Sequence, residues 1–104
     1  MTGIASVYAV FTSDEEARRI GRQMVEERLA ACVNILGPCR SIYRWQGAIE
    51  EAEEVAAIFK TRADTTAALI ARIAALHGYD IPAAIAWPIA EASGDYLRWV
   101  AENS

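Results

Sequence analysis

The chain has 104 residues, 54% of them hydrophobic, and its fourteen acidic residues against ten basic ones give a formal net charge of −4. That length suits one domain with ample material for a core, which sets disorder aside. The acidic balance opposes phosphate backbones, no run approaches the roughly 20 apolar residues of a membrane span, and the opening residues lack the basic start of a signal peptide, so the expectation is a cytoplasmic protein that meets neither nucleic acid nor membrane.

Ile4 to Phe11 is almost wholly apolar and rich in Val, Tyr and Phe, as a strand at a sheet centre is. Thr12-Ser13-Asp14-Glu15-Glu16 then opens a helix, in which the Ser13 side chain accepts from the Glu16 amide while Glu16 reaches back. Ala17, Ile20, Met24 and Val25 follow at helical spacing and carry it to about Arg28. Cys32 to Leu36 predicts a strand, and pairing resumes at Ser41 to Trp45. Gly37-Pro38 between them reads as a bulge or bend inside one long strand, with Gln46-Gly47 as the turn that reverses it.

Ala48 to Lys60 is ambiguous on pattern. Its glutamates and alanines favour helix, whereas Val55 to Thr61 suits a strand. Asp64 or Thr65 can cap the next helix, whose Leu69, Ile70, Ile73 and Leu76 share a face, and Gly78 stops it. After the connector Tyr79-Asp80-Ile81-Pro82, Ala83 to Ile89 predicts a last strand, with Pro88 marking an edge or an end. Ser93-Gly94-Asp95 opens a final helix that carries Tyr96, Leu97, Trp99 and Val100.

With the ambiguous segment taken as strand, the order is βαββαβ plus a helical tail, an α+β chain of ferredoxin-like arrangement. Short connections place both long helices on one face of an antiparallel sheet. Tyr43, Trp45 and Phe59 are expected on the other face, and burial against sister subunits is the natural cover for it.

The run Glu26-Glu27-Arg28-Leu29-Ala30-Ala31-Cys32-Val33-Asn34-Ile35 resembles the CutA family, and so does Ser41-Ile42-Tyr43-Arg44-Trp45-Gln46-Gly47. Further matching stretches are Ile49-Glu50-Glu51, Lys60-Thr61-Arg62, Leu76-His77, Tyr79-Asp80-Ile81-Pro82, Trp87-Pro88-Ile89 and Asp95-Tyr96-Leu97-Arg98-Trp99. The resemblance implies a ferredoxin-like subunit, a tight homotrimer joined through long kinked strands, and a role in tolerance of divalent metal ions, copper above all. It also implies strand for Ala48 to Thr61. Family members resemble the PII signalling proteins in trimer architecture, which implies clefts between subunits.

His77 is the only histidine. From its place in the last turn of a helix it can cap carbonyls and complement the dipole. The resemblance implies instead a copper ligand here. In some relatives that site also takes a cysteine at the end of strand one and a second histidine before the first, and these positions hold Phe11 and Leu76 in this chain. A one-chain copper site of that kind cannot form, and His77 needs Cys32, Asp80 or a neighbouring subunit beside it.

Two cysteines without CxxC spacing read as free thiols. Cys32 combines a soft ligand for Cu(I) with the burial habit of a core cysteine. Cys39, beside Pro38, is the more accessible of the two. Lys60 at a strand end can hold an anion or pair with a carboxylate. Glu50, Glu51, Glu53 and Glu54 read as a solvated charge run.

No nucleophile elbow, P-loop or dinucleotide fingerprint is present, so an enzyme is not expected. Three functions are in view. One is a homotrimeric copper-binding or divalent-metal tolerance protein centred on His77. Another is a PII-like sensor whose inter-subunit cleft near Lys60, Tyr79 and Cys32 holds a small anionic ligand and reports it through the Tyr43 to Ile49 hairpin. The third is a scaffold trimer without a ligand.

Overall fold

Residues Ile4–Phe11 form strand β1, and in the computed structural model, which describes residues 2–104, this strand lies inside the sheet. It pairs antiparallel with β3 (Ala48–Arg62) on one side and with β4 (Ala84–Pro88) on the other, and β2 (Cys32–Trp45) lies outside β3. The sheet order is therefore β2-β3-β1-β4. Helices α1 (Asp14–Glu26) and α2 (Thr66–Leu76) are the two crossovers, a short 3₁₀ turn (Ala63–Thr65) precedes α2, and α3 (Gly94–Glu102) ends the chain. This βαββαβ order with an antiparallel sheet is the expected ferredoxin-like α+β arrangement.

Strand alternation decides which side chains meet the helices. Val7 lies opposite Phe59, Ala9 opposite Ala57 and Phe11 opposite Val55, and all six are buried with Ala17, Ile20 and Met24 of α1 and Leu69 and Ile73 of α2. Each large side chain hidden this way contributes about 1.5–3 kcal/mol. Phe59 thus belongs to the helix-covered core and not to the second apolar face, a correction that follows from its pairing with Val7. Thr61, fully buried, donates from Oγ1 to the Leu29 carbonyl at 2.7 Å and ties β3 to the end of the α1 crossover.

The capping reading is half right. Ser13 Oγ accepts from the Glu16 amide at 3.1 Å, but the Glu16 carboxylate passes over Ser13 to the amide and hydroxyl of Thr12 and to the amide of Gly78. The glutamate that would close a local cap instead joins both ends of the βα unit to the end of α2.

The segment Ala48 to Lys60 is strand throughout. Its second half is enclosed between β1 and β2, where tertiary pairing overrides the helix propensity of alanine and glutamate. Its first half pairs with β2 alone, Cys39 to Trp45 against Ala48 to Glu54, so the two strands project past the end of β1 as a ribbon. Gln46 (φ 49°) and Gly47 (φ 85°) both take the left-handed conformation of a type I′ hairpin turn. The register slips once, between Ile35 and Gly37, where φ of 101° at Gly37 marks the expected bulge.

The opposite sheet face is covered only at one end. Val100 of α3 packs there with Ile4 and Ala31, flanked by Leu97 and Ile89. Beyond it Tyr8 and Trp87 stack at 6.3 Å, and Ile85 and Trp87 remain 57% and 43% exposed. Pro88 lies on β4, an edge strand, where its missing amide costs the sheet nothing.

Candidate functional site

His77 sits immediately after α2, and its ring faces the end of β1. Nε2 lies 2.6 Å from the Val10 carbonyl, and Nδ1 accepts from the Tyr79 amide at 3.1 Å. These partners set the tautomer: Nε2–H donates and Nδ1 accepts, so both nitrogens are engaged. Phe11 stacks on the ring at 5.3 Å and 15°, the Tyr79 ring lies 5.0 Å away at a tilt of 37°, and Glu16 Oε1 approaches Nε2 at 3.9 Å. The two positions that some relatives fill with further ligands hold apolar walls, since Phe11 and Leu76 both pack in the core.

Cys32 and Lys60 are cross-strand partners on the face opposite α1 and α2. Lys60 Nζ donates to Asn34 Oδ1, and Cys32 Sγ lies 3.4 Å from the hydroxyl of Tyr96. Burial, then this thiol contact, push the Tyr96 hydroxyl up to about 12. Tyr79 is not part of that group. It lies beside the far end of β1, near Val10, while Lys60 is paired with Ser6. Four residues of strand separate these places, roughly 13 Å. Within one chain the fold therefore sets Cys32 beside Lys60 and Tyr79 apart from both, whereas the cleft expected for the three lies between subunits. Tyr96, which the sequence places only among packing aromatics, is the side chain that completes the Cys32 end.

Tyr79 lines a cleft of its own. About 730 Å³ of space opens between the projecting ribbon and the 78–83 segment, walled by Val10, Tyr43, Trp45, Glu50, Glu54 and Tyr79. Glu54 departs from its neighbours in the charge run: Glu50, Glu51 and Glu53 are exposed, whereas Glu54 is only 6% exposed. Its carboxylate lies against the Tyr79 hydroxyl and, with burial, raises the pKa of that phenol far above its ordinary value. Adjacency to the apolar run Val55 to Phe59 is the signal that singles Glu54 out, because the strand is enclosed from that point on.

Among the described residues no group of three or more His, Cys, Asp or Glu side chains comes together as a metal site, and no helix is long and apolar enough to cross a membrane. Cys32 and Cys39 are both free thiols, half-buried. They lie on the same side of β2, and Cys39 is the cross-strand partner of Glu54.

Residues 5–103 match the family described as CutA1 divalent ion tolerance protein. The divalent-cation tolerance protein CutA of Thermus thermophilus is 48% identical over 92 residues, covering 88% of this chain and 89% of that protein. Its counterpart from Pyrococcus horikoshii is 43% identical over 98 residues, with 94% and 95% covered. Among solved structures, the divalent cation tolerance protein Cut A1 of Thermus thermophilus superposes with a TM-score of 0.93 at 44% identity, over 97% of this chain and 98% of that one. CutA from Archaeoglobus fulgidus gives the same TM-score at 39% identity, covering 96% and 97%.

Proposed function

The chain belongs to the CutA1 divalent ion tolerance family, and from that membership we propose that it serves in tolerance of divalent cations, as a homotrimer that binds copper or a similar ion. The observation that carries the reading is the match over residues 5–103 to proteins named for divalent-cation tolerance. Self-association is supported by the bare sheet face around Ile85 and Trp87, since a contiguous apolar surface of that kind is normally hidden.

His77 is the proposed ligand. It can reach a metal by releasing the longer of its two hydrogen bonds, the one from the Tyr79 amide to Nδ1. A neutral hydrogen bond contributes about 1 kcal/mol net, which an imidazole–metal bond readily outweighs. Uptake is then coupled to displacement of the 78–83 segment, and the remaining ligands come from Asp80 or from an adjoining subunit, because one chain assembles no complete set among its described residues.

The test is a Cu(II) titration by calorimetry on protein whose mass has been measured by light scattering. A mass about three times the 11.4 kDa of the chain and a saturable isotherm weakened by His77→Ala are expected. Identical isotherms for wild type and His77→Ala would remove His77 from the site. A well-behaved single subunit would remove the trimer.

A further inference from the structure

We propose that Glu16 is a positioning residue for His77, because its hold on the Gly78 amide makes Gly78 the pivot at which Nδ1 is released. The Tyr79 amide turns away there, while Nε2–H stays on the Val10 carbonyl. The inference rests on the reading of His77 as a ligand and adds the route by which its lone pair becomes free.

The firmly held part of the chain ends at one atom. The His77 amide donates to the Ile73 carbonyl at 2.9 Å, the Gly78 amide to Glu16 Oε2 at 3.0 Å, and the His77 ring to Val10. Glu16 is itself fixed, since its other oxygen accepts from the amide and hydroxyl of Thr12 and the residue is only 5% exposed. Beyond Gly78 the hold weakens. Among the described residues the backbone of 79–82 makes one hydrogen bond, from the Tyr79 amide to Nδ1. The next comes where the Ala83 carbonyl accepts from the Val10 amide at 3.3 Å.

The first torsions free to move are therefore those of Gly78, the residue type with the widest backbone freedom. Turning the peptide between Gly78 and Tyr79 breaks one hydrogen bond and leaves the Gly78 amide in place. A side chain at the pivot would crowd the pin, since a Cβ there meets Glu16 Oε2 at 3.0 Å. The His77 side chain has no exposed surface, so its lone pair is reached only after this turn. Its direction is kept throughout, because a ligating imidazole is oriented by the bond its other nitrogen donates, here to Val10. Without the pin the chain would lift from His77 onward and release Nδ1 with no set direction.

Hydrogen exchange followed by NMR on the assembled, metal-free protein reads the pivot. In wild type the Tyr79 amide is expected to exchange about tenfold faster than that of Gly78. Both should exceed the amide of Ala57, in the part of β3 enclosed between β1 and β2, which opens only with the whole fold. Glu16→Gln should raise exchange at Gly78 about tenfold relative to Ala57 and bring it level with Tyr79. Diethyl pyrocarbonate acylates an imidazole nitrogen whose lone pair is free. It should modify His77, the only histidine, several-fold faster in Glu16→Gln, as read by peptide mass. Thr12→Val, at an exposed position, removes one bond from the pin and decides the matter if Glu16→Gln does not fold. It should raise Gly78 exchange about threefold relative to Ala57. The proposal is overturned if Gly78 and Tyr79 exchange at one rate in wild type, for the segment then lifts as a unit. It is equally overturned if the variants speed all three amides alike, for Glu16 then acts on global stability alone. Failure of the ligand reading shows itself separately, as a Cu(II) isotherm unaffected by His77→Ala beside an intact exchange pattern.

Discussion

The carboxylate of Glu16, in the first turn of α1, accepts a hydrogen bond at 3.0 Å from the amide of Gly78, sixty-two residues later and just beyond α2. The same carboxylate accepts from the Thr12 amide at 2.8 Å and the Thr12 hydroxyl at 3.0 Å. One side chain thereby fixes the end of β1, the start of α1 and the segment that carries His77 and Tyr79.

Glu16→Ala leaves two backbone donors and a hydroxyl without their acceptor. It is expected to cost about 2–4 kcal/mol, and Glu16→Gln, which keeps one acceptor oxygen, about 1–2 kcal/mol. Urea unfolding of the three proteins measures both values. Equal stability of wild type and Glu16→Ala would show that water takes over these groups.

Acid should weaken the fold through the same residue. Burial would raise the Glu16 pKa, but the hydrogen bonds from Thr12 and Gly78, with His77 nearby, outweigh it and hold the group below its ordinary 4.5. Glu27 is also lowered, by Arg72 first and then Gln23. A lowered folded-state pKa means stability that is complete above the unfolded value and is lost as pH falls through the folded one. The midpoint temperature should therefore stay level from neutrality to about pH 5 and decline below it, with a shallower decline for Glu16→Gln. Parallel declines would place the acid sensitivity elsewhere.

Gln46 occupies the first left-handed position of the hairpin turn, a conformation that asparagine and glycine adopt more readily. Gln46→Asn is expected to add about 0.5 kcal/mol and Gly47→Ala to remove about 1 kcal/mol. The addition of a Cβ at Gly47 meets no atom within 4 Å, so its effect is backbone strain alone. Thermal unfolding checks the pair, and a harmless Gly47→Ala would exclude the I′ turn.

Ile85 lies on the edge strand β4, exposed on the bare sheet face and paired with Tyr8. If sister chains cover that face, Ile85→Glu should leave the circular dichroism unchanged and reduce the mass in solution to that of a single chain. An unaltered mass would direct attention to another surface.

The apolar run Ile4–Phe11 and the helically spaced apolar stripes of α1 and α2 make these elements readable from the sequence to within a residue or two. Phe59 escapes that reading: its side is set by register with Val7, a long-range fact that no local pattern contains. The Glu-rich half of β3 is obscure for a related reason. It is a strand only because Cys39 to Trp45 pair with it, and its composition alone favours helix. Cys32 and Lys60 belong together by pairing, yet Tyr96 reaches them through the return of α3 to the start of the sheet, which sequence spacing does not display. Glu16 looks like a local cap until Gly78 arrives beside it.

The strand order has a kinetic consequence. The first strand to leave the ribosome lies between the third and fourth, so Ile4–Phe11 must wait, unpaired and apolar, until Val55–Arg62 and then Ala84–Pro88 have emerged. The β2–β3 hairpin can form while it waits, and insertion of β1 alongside it, a closure over roughly fifty residues, is the step expected to limit the speed of assembly.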